Sequence, residues 1–308
     1  MKKKIFFGFA LLLSIAFSAF TQQYDQVYVA GYVGEWPNRR ATLWMNGIPQ
    51  TLSNTESWAT SVYVSGGDVC LVGSVGQGQN QRATFWKNGV AQILSDTAVS
   101  AWSLYMSGVD VYVAGAQSER ATLWKNGAPQ ALSNIESYAW SVYVAGNDVY
   151  LAGVTIQGDN GIATLWKNGV PQTMNNTPSW ANSVYVFGSD VYVAGFVGEE
   201  ENPRATLWKN RVPQTLSNTE SEANSVYVSG SDVFVVGNDS SKAMLWKNGV
   251  PQTLSDTYSR ANSVFVSGSD VYVTGYVGSR ATLWKNGIAQ TLSDIDSRAN
   301  SVFVRQMQ

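Results

Sequence analysis

The chain has 308 residues, and its 20 Lys and Arg against 22 Asp and Glu give a formal net charge of −2 at pH 7. This balance predicts no nucleic-acid partner, because phosphate-binding surfaces need clustered positive charge and only the lysines at residues 2–4 cluster. The sequence contains no histidine, which removes the usual general base and the commonest nitrogen ligand of zinc. We therefore expect no metal and no cofactor.

The first 21 residues have the pattern of a secretory signal peptide. Three lysines at residues 2–4 precede an apolar run at residues 5–20, and Ser18, Ala19 and Thr21 offer a cleavage site. The apolar run of 16 residues is short for a membrane-spanning helix. We therefore expect export, a mature chain that starts near residue 22, and no membrane insertion after cleavage; the alternative is an uncleaved membrane anchor.

A motif close to Ala-Thr-Leu-Trp-Lys-Asn-Gly dominates the rest of the chain. It recurs every 38 or 42 residues, a period typical of repeat architectures. Each copy ends in Asn-Gly, except for Asn210-Arg211, and Asn-Gly is the strongest short signal for a β-hairpin. The tryptophans of the motif are expected in the core, and they are Trp44, Trp86, Trp124, Trp166, Trp208, Trp246 and Trp284.

One full repeat predicts four strands, which we name a, b, c and d. In the fourth repeat they cover residues 141–144, 149–153, 163–166 and 171–174. Strands a and b are apolar at both alternating sets of positions, so both faces of the sheet are expected to be covered by protein. Four-stranded sheets that are repeated radially and covered on both faces are the blades of a β-propeller.

The strand count predicts a closed ring. Each strand type occurs seven times, but the chain starts at strand b and ends after strand a. Residues 299–304 are therefore predicted to pair with the strand around residues 27–29 and to complete the first blade, which leaves no unpaired edge. The predicted fold class is all-β, a seven-bladed β-propeller of four-stranded antiparallel blades, in a single domain over residues 22–308.

Three further features of the repeat have structural interpretations. Cys70 lies in a strand b and is expected to be a buried, inert thiol. Arg211 replaces glycine where a type I′ turn needs a positive φ, so either strain or a different turn is expected. The aspartates between strands a and b are interpreted as Asx-type caps of their own turns rather than calcium ligands, and they are Asp68, Asp110, Asp148, Asp190, Asp232 and Asp270.

With these repeats, the chain resembles the seven-bladed β-propellers of exported bacterial proteins that are built from Ala-Thr-Leu-Trp-Lys-Asn-Gly units. The resemblance covers residues 24–304 and implies the fold, but no particular ligand or activity. The WD40 and kelch signatures are absent, so the partners of those families are not implied.

The variation between repeats falls on one face of the predicted ring, in the b–c and d–a loops. Loops on a rigid scaffold are the usual place for binding. Five tryptophans lie outside the repeated motif, and all five are on this face. If strand a is innermost, an aromatic arc and a charged arc surround the mouth of the channel. The candidate ligand-binding residues are Trp36, Trp58, Trp102, Tyr138, Trp140, Trp180, Glu222, Arg260 and Arg298.

Three classes of function remain open at this point. The first is a monomeric, non-catalytic module that binds an extracellular glycan, or a protein or peptide, through the aromatic arc. The second is a carbohydrate-active hydrolase or lyase, although no motif pairs the scattered acids and the sialidase Asp-box is absent. The third is a structural or adhesive propeller in which the same rings pack between blades. We favour a glycan-binding module.

Overall fold

The computed structural model describes residues 25–95, 99–199 and 202–306. These residues form 28 β-strands in seven antiparallel sheets of four strands each. Within the described ranges, the helical content is one short 3-10 helix at Gly78–Asn80. The predicted seven-bladed β-propeller is confirmed. The predicted signal peptide at residues 1–21 lies outside the described residues.

The first four blades occupy the N-terminal half of the ring. Blade 1 contains β1 (Gln26–Val33), β2 (Arg40–Met45) and β3 (Ile48–Thr51). Blade 2 contains β4 (Ser57–Ser65), β5 (Asp68–Val75), β6 (Arg82–Lys87) and β7 (Val90–Ile93). Blade 3 contains β8 (Val99–Ser107), β9 (Asp110–Gln117), β10 (Arg120–Lys125) and β11 (Ala128–Ala131). Blade 4 contains β12 (Ser137–Ala145), β13 (Asp148–Gln157), β14 (Asn160–Lys167) and β15 (Val170–Thr173).

The last three blades and the closing strand follow. Blade 5 contains β16 (Ser179–Phe187), β17 (Asp190–Val197), β18 (Arg204–Lys209) and β19 (Val212–Thr215). Blade 6 contains β20 (Ser221–Ser229), β21 (Asp232–Asp239), β22 (Lys242–Lys247) and β23 (Val250–Thr253). Blade 7 contains β24 (Ser259–Ser267), β25 (Asp270–Val277), β26 (Arg280–Lys285) and β27 (Ile288–Thr291). The closing strand is β28 (Ser297–Arg305).

The ring closes in the predicted register. Strand β28 is the innermost strand of blade 1 and pairs antiparallel with β1, with Val304 opposite Val27 and Val302 opposite Val29. This pairing covers the edge of β1, which would otherwise present unpaired backbone groups. The two ends of the propeller therefore share one sheet.

The tryptophan of strand c joins each blade to the preceding one. All seven of these side chains are fully buried, as predicted. Trp166 of blade 4 packs on Ala121 and Leu123 of blade 3, and Trp44 of blade 1 packs on the equivalent residues of blade 7. An indole buries a large apolar area, so each wedge stabilises the contact between two sheets. The thiol of Cys70 is also buried, and burial raises its pKa to about 11.

A ring of aromatic side chains surrounds the axis. Adjacent rings lie 4.8–5.1 Å apart between centroids, and the series closes on itself. Burial raises the pKa of Tyr63, Tyr143, Tyr185 and Tyr227. Strand a is therefore innermost, which is the condition that the sequence analysis had set for placing the aromatic and charged arcs at the mouth of the channel. The ring consists of Tyr63, Tyr105, Tyr143, Tyr185, Tyr227, Phe265 and Phe303.

The turn aspartates have a different role from the predicted one. In blade 4, Asp148 Oδ1 accepts a hydrogen bond from Asn168 Nδ2 (2.8 Å) and Asp148 Oδ2 pairs with Lys167 Nζ (2.7 Å). These partners lower the pKa of Asp148. The interpretation as an Asx cap of its own turn was wrong, because the carboxylate instead joins the a–b hairpin to the c–d hairpin. In blade 1 the aspartate and the lysine of this ion pair are both replaced, by Gln26 and Met45.

The c–d hairpins keep the predicted turn conformation, including the one without glycine. Asn210 and Arg211 have φ values of 50° and 68°, and the equivalent Asn168 and Gly169 have 52° and 81°. The turn therefore does not change type, and Arg211 occupies the left-handed region that L-residues rarely adopt. Its guanidinium donates a hydrogen bond from Nη2 to the carbonyl oxygen of Thr173 (3.0 Å).

Because β28 closes the ring, we expect a truncation that removes this strand to differ in effect from one that leaves it intact. Deletion of residues 297–308 should expose the edge of β1, lower the melting temperature and promote self-association. Deletion of residues 306–308 alone leaves β28 intact and should change neither property. Thermal unfolding monitored by circular dichroism and size-exclusion chromatography measure the two effects. Equal melting temperatures for the two truncations would contradict the role of the closing strand.

Candidate functional site

A β-bulge in strand a shapes the mouth of the channel. In each blade one extra residue of strand a lies between its alanine and its serine, as between Ala139 and Ser141 in blade 4. The carbonyl oxygen of the residue before the alanine then presses on strand b, where a Cβ on Gly153 would overlap the carbonyl of Tyr138. The repeated glycine of strand b was the signal for this bulge, and the sequence analysis missed it.

The residue at the bulge usually forms a hydrogen bond to the next blade. Asn182 Nδ2 donates to the carbonyl oxygen of Ala223 (3.0 Å), and Thr60 Oγ1 donates to that of Ala101 (2.9 Å). Asn224, Asn262 and Asn300 make the same bond at 2.8–2.9 Å. Blades 3 and 4 have Trp102 and Trp140 at the bulge instead. An indole has one N–H donor, and this donor lies at a different position from the Nδ2 of asparagine. In these two blades a large ring therefore replaces the side chain that bonds to the next blade.

Three of the candidate residues form one aromatic cluster, Trp102, Tyr138 and Trp140. The ring centroids of Trp102 and Tyr138 lie 6.1 Å apart in an edge arrangement, and those of Tyr138 and Trp140 lie 6.5 Å apart with an interplanar angle of 6°. All three side chains are half-buried. As the alternation of strand residues predicted, Tyr138 and Trp140 project together.

Two carboxylates lie beside this aromatic cluster. The hydroxyl of Tyr138 donates a hydrogen bond to Glu136 Oε1 (3.0 Å). Burial, the carboxylate of Glu136 and that of Glu119 together raise the pKa of Tyr138 to about 12. Both glutamates are exposed. They give the cluster hydrogen-bond acceptors in addition to its apolar faces.

The structure places Trp180 apart from this cluster, in a packing position. Its ring stacks on Phe196 of the neighbouring strand at 5.1 Å, with an interplanar angle of 17°. It also covers Gly161 of blade 4, where a Cβ would lie 2.6 Å from the indole. Trp180 therefore wedges between two blades, which is the packing alternative that the sequence analysis had left open for all these rings.

Trp36 and Trp58 line a separate cleft between blades 1 and 2. The cleft measures about 450 Å³ and is open to solvent. The guanidinium of Arg39 lies 4.8 Å above the ring of Trp58. Arg39 Nε contacts Glu56 Oε1 at 2.5 Å, and Glu56 is buried. The sequence analysis missed Arg39, because its partner Glu56 lies 17 residues away in another blade.

The charged arc is neutralised locally. Arg260 Nη2 pairs with Glu222 Oε2 at 2.5 Å and donates to Asn224 Oδ1 at 2.8 Å. The guanidinium of Arg298 lies 4.0 Å from the centre of the Tyr276 ring, and its Nη1 is 3.9 Å from an oxygen of Asp296. These groups therefore carry little net charge toward a ligand.

Across residues 25–95, 99–199 and 202–306, no helix is both long and apolar enough to cross a membrane. In the same ranges, no three acidic or cysteine side chains approach each other closely enough to hold a metal ion.

Comparisons with known proteins identify the fold. TolB from Acinetobacter baumannii superposes with a TM-score of 0.51 at 10% sequence identity, over 89% of this chain and 82% of TolB. The acylaminoacyl peptidase of Pyrococcus horikoshii gives 0.49 at 13% identity, over 77% of this chain and 46% of the peptidase. The β-propeller domain of the Trilobed protease from Pyrococcus furiosus gives 0.40 at 10% identity, over 77% and 96%. No protein-family model and no curated protein sequence matches this chain.

Because Trp140 stands where other blades have an amide that bonds to the next blade, we predict that variants at residue 140 differ in stability. Trp140→Asn should be more stable than Trp140→Ala by about 1 kcal/mol, because the asparagine can form the bond to the next blade that Asn182 forms. Urea denaturation measures the difference. At residue 138, which has no such bond in other blades, Tyr138→Asn and Tyr138→Ala should be equally stable. If asparagine at residue 140 is no better than alanine, the bulge amide does not stabilise the ring.

Proposed function

We propose that this protein is an exported, non-catalytic binding module that holds a glycan on the face formed by the b–c and d–a loops. The observation that carries the proposal is the aromatic cluster of Trp102, Tyr138 and Trp140. All three rings are half-buried, and Tyr138 packs against both indoles. The two indoles stand where other blades have a structural amide or hydroxyl.

The chemistry of the aromatic cluster suits a neutral sugar. The apolar face of a pyranose ring stacks on an aromatic side chain, and burial of that face provides the affinity. The hydroxyls of the sugar then need hydrogen-bond partners, which Glu136, Glu119 and the hydroxyl of Tyr138 supply at the rim of the cluster. The chain's weak net charge of −2 adds no long-range attraction, and a neutral ligand does not need it.

A hydrolase is the weaker candidate for the same surface. Glycoside hydrolysis needs two carboxylates at a defined separation, and one of them must stay protonated near neutral pH. Glu119 and Glu136 are both exposed to solvent, so neither has the buried, apolar surroundings of a hydrolytic general acid. We therefore assign them to hydrogen bonding with the ligand.

Export is part of the proposal and has its own test. The basic residues 2–4 and the apolar residues 5–20 support cleavage near residue 22 by a signal peptidase. N-terminal sequencing of the native protein should find a chain that starts near residue 22 in an exported fraction. Recovery of intact Met1 in the cytoplasmic fraction would contradict export.

Glycan binding is tested with variants that keep the ring intact. On an array of neutral oligosaccharides, followed by calorimetry, Trp140→Asn and Trp102→Asn should each weaken binding by about 2 kcal/mol, because each removes a stacking surface. Tyr258→Ala is the matched control, since it removes a ring that is 61% exposed from the same face in blade 7. Unchanged affinity in both Asn variants, or capture of peptides but no glycans by the wild-type protein, would overturn the proposal.

A further inference from the structure

We infer that the cleft between blades 1 and 2 is a second sugar subsite, which binds a carboxylate-bearing ring such as a uronic acid. Trp36, Trp58, Arg39, Gln77 and Gln81 line this cleft. The inference rests on the proposed function in one respect, that the ligand is a glycan. It adds the chemical class of one of the ligand's sugar residues.

Arg39 is held rigidly at the cleft. Its backbone N–H donates to Glu56 Oε2 (2.7 Å), and its Nε contacts Glu56 Oε1 (2.5 Å). The side chain of Glu56 is 4% exposed, so the carboxylate that positions the guanidinium is itself fixed by burial. The guanidinium also lies over the rings of Trp58 and Tyr32, at 4.8 and 5.4 Å. Its orientation is therefore set from three sides.

The two terminal nitrogens of Arg39 remain available to a ligand. Throughout the described parts of the chain, neither Nη1 nor Nη2 of Arg39 forms a hydrogen bond, and the side chain is 24% exposed. A guanidinium whose Nε is occupied still presents both Nη groups as a planar fork. That fork matches the two oxygens of a carboxylate, which accept parallel hydrogen bonds from it.

The ion pair with Glu56 determines how this recognition works. The pair has no net charge, so it does not attract anions over long distances. A carboxylate gains its advantage only at contact, where two directed hydrogen bonds form in a partly buried position. The geometry therefore favours an anion that accepts two hydrogen bonds at contact, which in this proposal is the carboxylate of a uronic acid, and it gives little affinity for dispersed negative charge.

The rest of the cleft suits a sugar ring. Trp36 also lines the cleft and is 68% exposed, so its ring is accessible to a ligand for stacking. Gly78 has open space at its Cβ position, so no side chain fills this part of the cleft. Gln77 and Gln81 line the cleft as well. Because Gln81 Nε2 already donates to Ser74 Oγ and Ser100 Oγ, its carbonyl oxygen is the group that it offers to a sugar hydroxyl.

The cleft is connected to the aromatic cluster along the same face. Gln81 Nε2 donates to Ser100 Oγ of blade 3 at 3.1 Å. Ser100 lies two residues before Trp102 in strand β8. The two sites therefore occupy neighbouring blades, and this hydrogen bond connects a lining residue of the cleft to the strand that carries Trp102. An oligosaccharide that runs across blades 1 to 4 would contact both.

The experiment compares uronic acids with their methyl esters, which keep the ring and remove the charge. Wild-type protein is titrated with oligomers of galacturonate, glucuronate and mannuronate, each as the acid and as the ester. At least one acid should bind about tenfold more tightly than its ester, as two charge-assisted hydrogen bonds require. A sulfated galactan oligomer should bind no more tightly than the same oligomer without sulfate.

The variants assign the preference to the cleft. The double substitution Arg39→Gln and Glu56→Gln removes both charges together, so no unpaired ion is buried, and it should abolish the difference between acid and ester. Trp36→Ala should weaken acid and ester alike, since Trp36 is exposed and stacks on either ring. Tyr258→Ala should change neither. Circular dichroism checks that every variant is folded.

The outcomes separate the two proposals. If acid and ester of every epimer bind the wild-type protein equally, or if the double variant keeps the preference, the second subsite is wrong. If Trp140→Asn still weakens binding of the esters in that case, the proposed glycan function stands. If the sulfated oligomer gains as much as the acid, the cleft binds anions in general and the assignment to carboxylates fails. If no oligosaccharide binds the wild-type protein, both proposals fail.

Discussion

Between its alanine and its serine, every innermost strand carries one residue more than the strand beside it. This bulge presses a carbonyl oxygen onto strand b, where a glycine is required, and it turns the serine hydroxyl toward the next blade. There the hydroxyl accepts a backbone N–H at 3.1–3.3 Å, as Ser141 accepts from Val184, and the series of seven such bonds closes around the axis. The joints between blades and the direction of the side chains at the mouth thus have one common origin in the backbone.

Blades 3 and 4 depart from this regular pattern at the bulge. The carbonyl oxygens of Ala139 and Ala181 lose the hydrogen bond that their equivalents receive in the other five blades, because Trp102 and Trp140 replace the donors. An inter-blade hydrogen bond contributes about 1 kcal/mol. A protein that gives up two such bonds in adjacent blades, and places there two indoles that both pack against Tyr138, has exchanged uniform stabilisation for a local surface. Functional sites commonly depart from the local rules in this way.

The sequence predicted those features that every repeat shares. Seven copies of one tryptophan and an incomplete first blade were enough for the fold, the ring closure and the core position of Trp166. Features that join different repeats were out of reach, because one repeat does not contain both partners. Trp180, for example, covers Gly161 of the previous blade. The bond between Asp148 and Asn168 lies within one repeat, but it joins two hairpins whose residues are 20 positions apart in the sequence. One signal in the sequence was not used. Gln26 and Met45 replace the aspartate and the lysine together in blade 1, which indicates that these two positions are in contact.

The charges of this face also constrain how a ligand is held. Glu222 pairs with Arg260, Arg298 lies beside Asp296, and Arg39 is neutralised by a buried glutamate. Because these paired groups have so little net charge, we expect recognition to depend on stacking and on directed hydrogen bonds, which act only at contact. A single sugar ring on one such surface binds weakly, because it buries little area. The two proposed subsites on neighbouring blades of a rigid ring would change this, since a ligand bound at one site is held at high effective concentration near the other. The regular propeller supplies the fixed distance between the subsites, and the irregular loops supply the chemistry of each.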